Sequence, residues 1–249
     1  MDRDEYRRMA AAETAHWWYG ATRALLRDLL APLLRPGMDI LDAGCGTGAA
    51  GGWLGEYGRV VGVDAEAFAL ELYREGRPAA RLVRADMTRL PFAAARFDLA
   101  LCVTVLYHEQ VADPAAAVRA LAAALKPGGI LCLLEPGLPS LRRGHDRVTH
   151  TARRFARDEL RAMVAGAGLA IVRSTAAYSF LAPPAAVKAI LERGRKSSDL
   201  GGRDTGLGGV LPALARAERA WLRRRDLPLG LSVVAIGRKP DQARSAVPQ

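Results

Sequence analysis

"ILDAGCGTGAAGGWL", residues 40–54, sets five glycines behind a run with the apolar character of a buried strand. Gly44, Gly46 and Gly48 lack Cβ atoms, so something can approach the backbone amides there without meeting side chains. In open α/β sheets, a glycine-rich turn that leaves the first strand and opens a helix is where nucleotides bind. Counted strictly, Gly44-x-Gly46-x-x-Ala49 also satisfies the dinucleotide fingerprint, and Asp64 stands 20 residues beyond Gly44, at the ribose position. An NAD(P)-dependent oxidoreductase is therefore one reading of the turn. Asp42, two residues before the first glycine, weighs against it. A carboxylate projected into that turn opposes a pyrophosphate and favours a ligand with a positive group.

Working outward, short apolar runs alternate with helical ones. "MDILDAG" (38–44), "RVVGVD" (59–64), "ARLVRAD" (80–86), "FDLALCVTV" (97–105) and "GILCLLEP" (129–136) have strand length and composition. "DPAAAVRALAAALKPGG" reads as a helix with Asp113 as N-cap, Pro114 in the first turn and Pro-Gly-Gly as its stop. Strand and helix in alternation predict a parallel sheet covered on both faces. Further on, "RDELRAMVAGAG" predicts a helix capped by Asp158, followed by strands around "LAIVRSTAAYS" and "LSVVAIGRK" (231–239). "RGRKSSDLGGRDTGLGG" (193–209) is expected to be a mobile loop, and the tail from residue 241 to be disordered.

Composition narrows the function classes. A chain of 249 residues, half of them hydrophobic, suits one large α/β core with a modest lid. The N-terminus "MDRDEYRRMAAAE" is charged where a signal peptide is apolar, and no run approaches the roughly 18 apolar residues of a membrane span. A cytoplasmic protein is expected. Cys45, Cys102 and Cys132 are scattered in apolar or glycine-rich runs, with no disulfide or zinc spacing, and no metal is expected. The net charge of +10 comes from arginines spread along the chain, so nucleic acid is not the expected partner.

"ILDAGCGTG", "VVGVDAE", "RADMTRLPF", "FDLALCVTVLYHE" and "LKPGGILCLLEP", in this order and spacing, resemble the motifs of class I S-adenosylmethionine-dependent methyltransferases. The resemblance covers residues 38–136. It implies a Rossmann-like, seven-stranded, mostly parallel sheet with the last strand antiparallel and helices on both faces. It also implies S-adenosylmethionine as cofactor. Gly44, Gly46 and Gly48 would wrap the methionine moiety and Asp42 would sit near its ammonium. Asp64, with Ala65 beside it, would hold the ribose hydroxyls; Asp86 would accept from the adenine amino group; Met87 would lie on the ring. Val103 and Thr104 would close the methionine end. The Asn-Pro-Pro-aromatic motif of amino-methylating DNA enzymes is absent, since the position reads "VTVLY". The expected reaction is methyl transfer to an O, N or C atom of a small molecule, in natural-product or glycan and lipid chemistry. A non-catalytic binder of the same cofactor is the other alternative.

Two flanks extend the resemblance. "AHWWYGATRALL" (15–26) is similar to a His-Trp-Trp-Phe signature opening a subgroup of the family, with Tyr19 in place of Phe. It implies that residues 1–36 form a helical lid over the cofactor, with Trp17 and Tyr19 turned to it. Adjacent helical residues point about 100° apart, so Trp17 and Trp18 cannot share one face, and one of them is expected to meet something other than the helix's main packing partner. The methyltransferase domain proper would run over 37–240, with acceptor-site insertions at about 138–157 and 180–230. The first insertion, "RRGHDRVTHTARRFARDEL" (142–160), matches a "His-Asp … His … Arg-Arg-aromatic" stretch of the same subgroup. A histidine has a pKa near 6.5 and suits general-base work, so His145, His150 and His108 are the candidate bases. Asp146 would orient a ring, and Arg153 and Arg154 would hold an anionic or amphiphilic acceptor.

Overall fold

The structure of the chain, a computed structural model, describes residues 3–141, 150–191 and 209–241. Seven strands form one sheet: β1 (Met38–Ala43), β2 (Gly58–Asp64), β3 (Arg81–Arg84), β4 (Phe97–Val103), β5 (Leu125–Pro136), β6 (Ala170–Ala177) and β7 (Ser232–Arg238). Their order is β3-β2-β1-β4-β5-β7-β6. The first five pair in parallel, and β7 runs antiparallel to both β5 and β6. Every residue of β1 and of β4 is buried, because helices cover both faces of the central strands. The chain builds outward from β1 to β3 and then crosses to β4, so the carboxyl ends of β1 and β4 flank the switch point where such sheets bind ligands.

On one face, α4 (Pro114–Ala124) and α5 (Arg157–Gly166) pack Val118, Leu121, Leu160 and Val164 onto the sheet. On the other, α2 (Trp17–Leu30), the short turn Gly52–Glu56 and α7 (Val210–Leu222), which follows α6 (Ala182–Leu191) in the chain, bury Leu25, Leu26, Leu54 and Leu222. The boundary expected at residue 36 is therefore not a boundary in packing. Leu25, Leu26, Leu29 and Leu30 recur on one helical face and are almost fully buried, so α2 belongs to the core layer. Only α1 (Arg3–Ala15) lies over the sheet edge, against α3 (Ala67–Gly76), with Tyr6 edge-on to Phe68.

Other boundaries shift for local reasons. Asp113 caps α4 as expected, accepting from the Ala116 amide at 2.9 Å. Asp158 does not cap α5. The helix starts at Arg157, the Glu159 carboxylate accepts from the Ala156 amide at 3.2 Å, and Asp158 pairs with Arg157. The strand expected from residue 129 begins at Leu125, and the Pro127–Gly129 segment is absorbed in a register shift against β4. The three cysteines are free and buried. The expected 193–209 loop and the terminal tail fall, all but Gly209 and Asp241, outside the described residues.

Charges are settled at the amino edge of the sheet. Asp39 of β1 meets Arg59 at 2.7 Å, Lys126 at 3.0 Å and Arg96 at 3.2 Å; Asp98 of β4 meets Arg35 at 2.6 Å and Lys126 at 2.7 Å. The Lys126 hydrogen bond and the Arg59 pairing hold the Asp39 carboxyl down to about 2. Three residues on, at the opposite edge, Asp42 has no such company.

Candidate functional site

The turn after β1 is held open by its own packing. Gly44, Gly46 and Gly48 all have positive φ, the region glycine occupies without cost. A Cβ on Gly44 would overlap the Val105 side chain, so that glycine joins the β1 and β4 ends. Gly46 differs. No atom lies within 4 Å of where its Cβ would stand, and its amide donates to Asp64 Oδ2 at 2.9 Å.

Asp42 is 1% exposed, and its Oδ2 makes no hydrogen bond. Burial first, then the nearby Asp64 charge, pushes its carboxyl up to about 7. A buried carboxylate oxygen without a donor is costly unless a cation or donor completes it. Asp64, at the end of β2, accepts from the Gly46 and Glu66 amides, one on each oxygen, at 2.9 Å. Each carboxylate oxygen keeps a further lone pair, enough for a pair of vicinal hydroxyls. Burial raises the Asp64 pKa against the pull of those amides. Ala65 lies beside it, its carbonyl accepting from Arg84 Nε at 3.0 Å. The residues thus fit S-adenosylmethionine: an orphaned carboxylate for an ammonium, a glycine turn with open space at Gly46, and a carboxylate with lone pairs left for a ribose.

The adenine end is divided. Asp86 is exposed and spends Oδ1 on the Thr88 amide and hydroxyl at 2.7 and 2.8 Å, capping the turn that follows β3. The Met87 side chain is buried in the main core. Val103 is buried at the tip of β4, and Thr104 takes a left-handed φ of 53° with its amide on Leu134 O.

The two tryptophans share one neighbour and differ in another, Trp17 also lying near His16 and Trp18 near Tyr19. Both rings face Tyr178, at centroid distances of 6.3 Å for Trp17 and 6.4 Å for Trp18. Trp17 is the first residue of α2, capped by His16 Nδ1 accepting from the Trp18 amide at 3.3 Å. Tyr178 sits at the helix end, where side chains 100° apart can straddle it. Tyr19 stacks edge-on with Trp18 at 5.0 Å. Trp17 and Tyr19 therefore belong to an aromatic cluster centred on Tyr178, whose hydroxyl meets that of Thr22 at 2.7 Å.

On the acceptor side, His108 and His150 come together with ring centroids 5.9 Å apart. A short antiparallel bridge pairs His108 with Thr151, and the Glu109 amide donates to His150 O at 3.1 Å. His150 Nδ1 meets Glu109 Oε1 at 2.8 Å, whereas His108 Nδ1 accepts from the Gln110 amide at 3.2 Å. Burial, then the His150 charge, lowers the His108 pKa. Arg154 donates to Gly137 O at 3.1 Å and ties this segment to the end of β5; the Arg153 amide donates to Tyr107 O. His145 and Asp146 lie outside the described residues.

Four carboxylates escaped or were undervalued in the sequence. Glu13 of α1 hydrogen-bonds Thr47 within the glycine turn. Glu109 follows His108 directly, an adjacency that could have marked it. Glu135, fully buried at the end of β5, accepts from the Val105, Leu106 and Tyr107 amides at 3.1, 2.9 and 3.3 Å. Glu218 of α7 accepts from the Tyr178 and Ser179 amides.

A family profile described as a methyltransferase domain matches residues 41–133. The chain is 34% identical over 170 residues to trans-aconitate 2-methyltransferase of Azoarcus sp. (strain BH72), covering 66% of this chain and 63% of that protein. It is 33% identical over 135 residues to malonyl-[acyl-carrier protein] O-methyltransferase of Enterobacter lignolyticus (strain SCF1), covering 51% and 53%. The chain spans about half the length of the curated relatives it matches. In the complex between the Haloferax volcanii Trm112 methyltransferase activator and a methyltransferase, one chain shares the fold with a TM-score of 0.63 at 19% identity, over 96% of both chains.

Proposed function

We propose that the chain, whose residues 41–133 match a methyltransferase-domain profile, is a class I S-adenosylmethionine-dependent methyltransferase that transfers the donor's methyl group to a small-molecule acceptor. The observation that carries the proposal is the buried Asp42 Oδ2 without a hydrogen-bond partner, at the start of a glycine turn that leaves open space where a Cβ of Gly46 would stand. A diphosphate-bridged dinucleotide would put negative charge where this carboxylate lies, which counts against the oxidoreductase reading. No helix among the described residues is long and apolar enough to cross a membrane.

When bound, S-adenosylmethionine supplies a methyl group already activated on a sulfonium. What remains for the protein is alignment, exclusion of water and management of one proton. Asp42 would hold the ammonium and Asp64 the ribose, and the Val105–His108 segment, at the end of β4, would lie toward the methyl end. His150 is the better general base of the two described histidines. Its Nδ1–H is directed to Glu109, so a neutral ring presents the Nε2 lone pair. His108 has its Nδ1 occupied as an acceptor from Gln110, so its neutral ring carries the proton on Nε2 and donates instead. An oxygen or nitrogen acceptor would pass its proton to His150 as the methyl group moves. Arg153 beside this pair supports an acceptor with an anionic group, in keeping with the malonyl and trans-aconitate names of two relatives.

Two measurements test this. Donor binding is expected to release protons near pH 6–7, because the Asp42 carboxyl, raised to about 7 when free, is driven to its charged form by a cation. The release shows in calorimetry as a binding heat that varies with buffer ionisation enthalpy, and it fades above about pH 8, where Asp42 is already charged. Heats independent of buffer at pH 6.5 would remove Asp42 from the ammonium site. His150→Ala is expected to slow turnover by about 10²-fold with donor affinity unchanged. Full turnover in that variant would leave His150 a purely structural residue. A protein that binds the donor but yields no S-adenosylhomocysteine with any carboxylate, hydroxyl or amine acceptor would be a non-catalytic binder.

A further inference from the structure

We propose that Glu13 of the α1 lid is a donor-binding residue that joins Asp42 in holding the α-ammonium, so that closure of the lid depends on the amino-acid end of the nucleoside. The inference rests on the donor reading of the glycine turn. Glu13 hydrogen-bonds the Thr47 hydroxyl, and Thr47 follows Gly46, the glycine of the turn with open space around it, and precedes Gly48, which packs on Tyr73 and Arg77. A surface helix has thus delivered a carboxylate into the turn.

The chemistry calls for a second acceptor. An ammonium has three N–H donors, and within a buried site each wants an oxygen. The orphaned Asp42 Oδ2 answers one of them. Glu13 is buried enough that its carboxyl is pushed up to about 6, against the pull of the Thr47 hydrogen bond and of Arg77 and Arg23. The cations nearby are otherwise engaged: Arg77 donates to Gly48 O at 3.2 Å, and Arg23 to the Glu13 backbone carbonyl at 3.2 Å. Two buried carboxylates near one turn, the Glu13 charge adding to the rise of the Asp42 pKa and Asp42 Oδ2 lacking a hydrogen bond, form a site whose charge a cationic ligand would complete.

Packing explains how α1 can carry this. Its first turns grip α3 through Tyr6 on Phe68, with Arg3 and Arg7 over the same ring. Its last turn leads to His16 and α2, which is fixed in the core. Glu13 therefore sits in the stretch of helix between two anchors, held over the turn. The aromatic contacts set the position of the lid, and Glu13 makes it respond to what lies beneath.

The test is a calorimetric titration of the whole chain with S-adenosylmethionine, S-adenosylhomocysteine and 5′-methylthioadenosine, the last being the nucleoside without its amino-acid end, measured by competition where its heat is small. Glu13→Gln is expected to weaken the first two by about tenfold or more, the scale of a charge-assisted hydrogen bond, and to leave the third within about twofold. Thr47→Val, which unties Glu13 but keeps its charge, is expected to move affinity in the same direction by less, and it answers the question should the Gln variant fold poorly. Unchanged S-adenosylmethionine affinity in both variants, or an equal loss for all three ligands, would overturn the proposal. A wild-type protein that binds none of the three would overturn the donor reading itself.

Discussion

Glu135→Ala is expected to lower the free energy of unfolding by about 3–5 kcal/mol, the largest effect of any single change considered for this chain. Three successive amides, those of Val105, Leu106 and Tyr107, converge on this carboxylate. Glu135 has no exposed surface, and burial pushes its carboxyl up to about 8 in spite of those three donors. Alanine would leave the amides buried without an acceptor, at about 1–3 kcal/mol each before relaxation. Glu135→Gln keeps one accepting oxygen and is expected to cost about half as much. The consequence reaches the site, because this loop carries Val105, which seats Gly44, and His108, which bridges to Thr151. Urea unfolding reads the first effect and donor titration the second. A loss under about 1 kcal/mol for the Ala variant would mean that water or a shifted loop replaces the carboxylate.

Asp64→Asn is expected to weaken S-adenosylmethionine binding by about 30- to 100-fold, or about 2–3 kcal/mol. The substitution is nearly isosteric, so its effect is chemical. Asp64 accepts from Gly46 on one oxygen and from Glu66 on the other. An amide side chain turns one acceptor into a donor facing an N–H, which loosens either the glycine turn or the start of α3. The ribose then loses an acceptor in the same step. Calorimetry on the variant checks this, and affinity within about threefold of the wild type would detach the ribose from Asp64.

The fold was legible where it depends on neighbours along the chain. Strands β1 and β4 are buried on both faces, so their sequences are apolar apart from Asp39, Asp42 and Asp98, and the glycine turn follows the first of them. The α4 cap is a local hydrogen bond between Asp113 and Ala116 and was readable for the same reason. The shared neighbour of the tryptophan pair was not legible. An angle of about 100° along a helix says nothing about a partner placed at the helix end, and Tyr178 comes from the far side of the sheet order. An amphipathic helix looks alike in sequence whether its apolar face meets the core or closes over a ligand; only the structure shows the α2 leucines buried with the residues of the sheet.

Sequence alone determined the α/β sheet, its glycine turn and the acidic residues spaced after it, since each of these is written within one element and its flanks. Tertiary structure decided which charges are satisfied. Asp39 and Asp42 lie three residues apart on one strand, yet Lys126 reaches the first across 87 positions of sequence, and nothing reaches Oδ2 of the second. Glu13 meets Thr47 across 34 positions, and Glu135 meets Val105 across 30. The free energy of a carboxylate depends on its burial and on the donors around it, and both are set only when distant segments converge on one edge of the sheet.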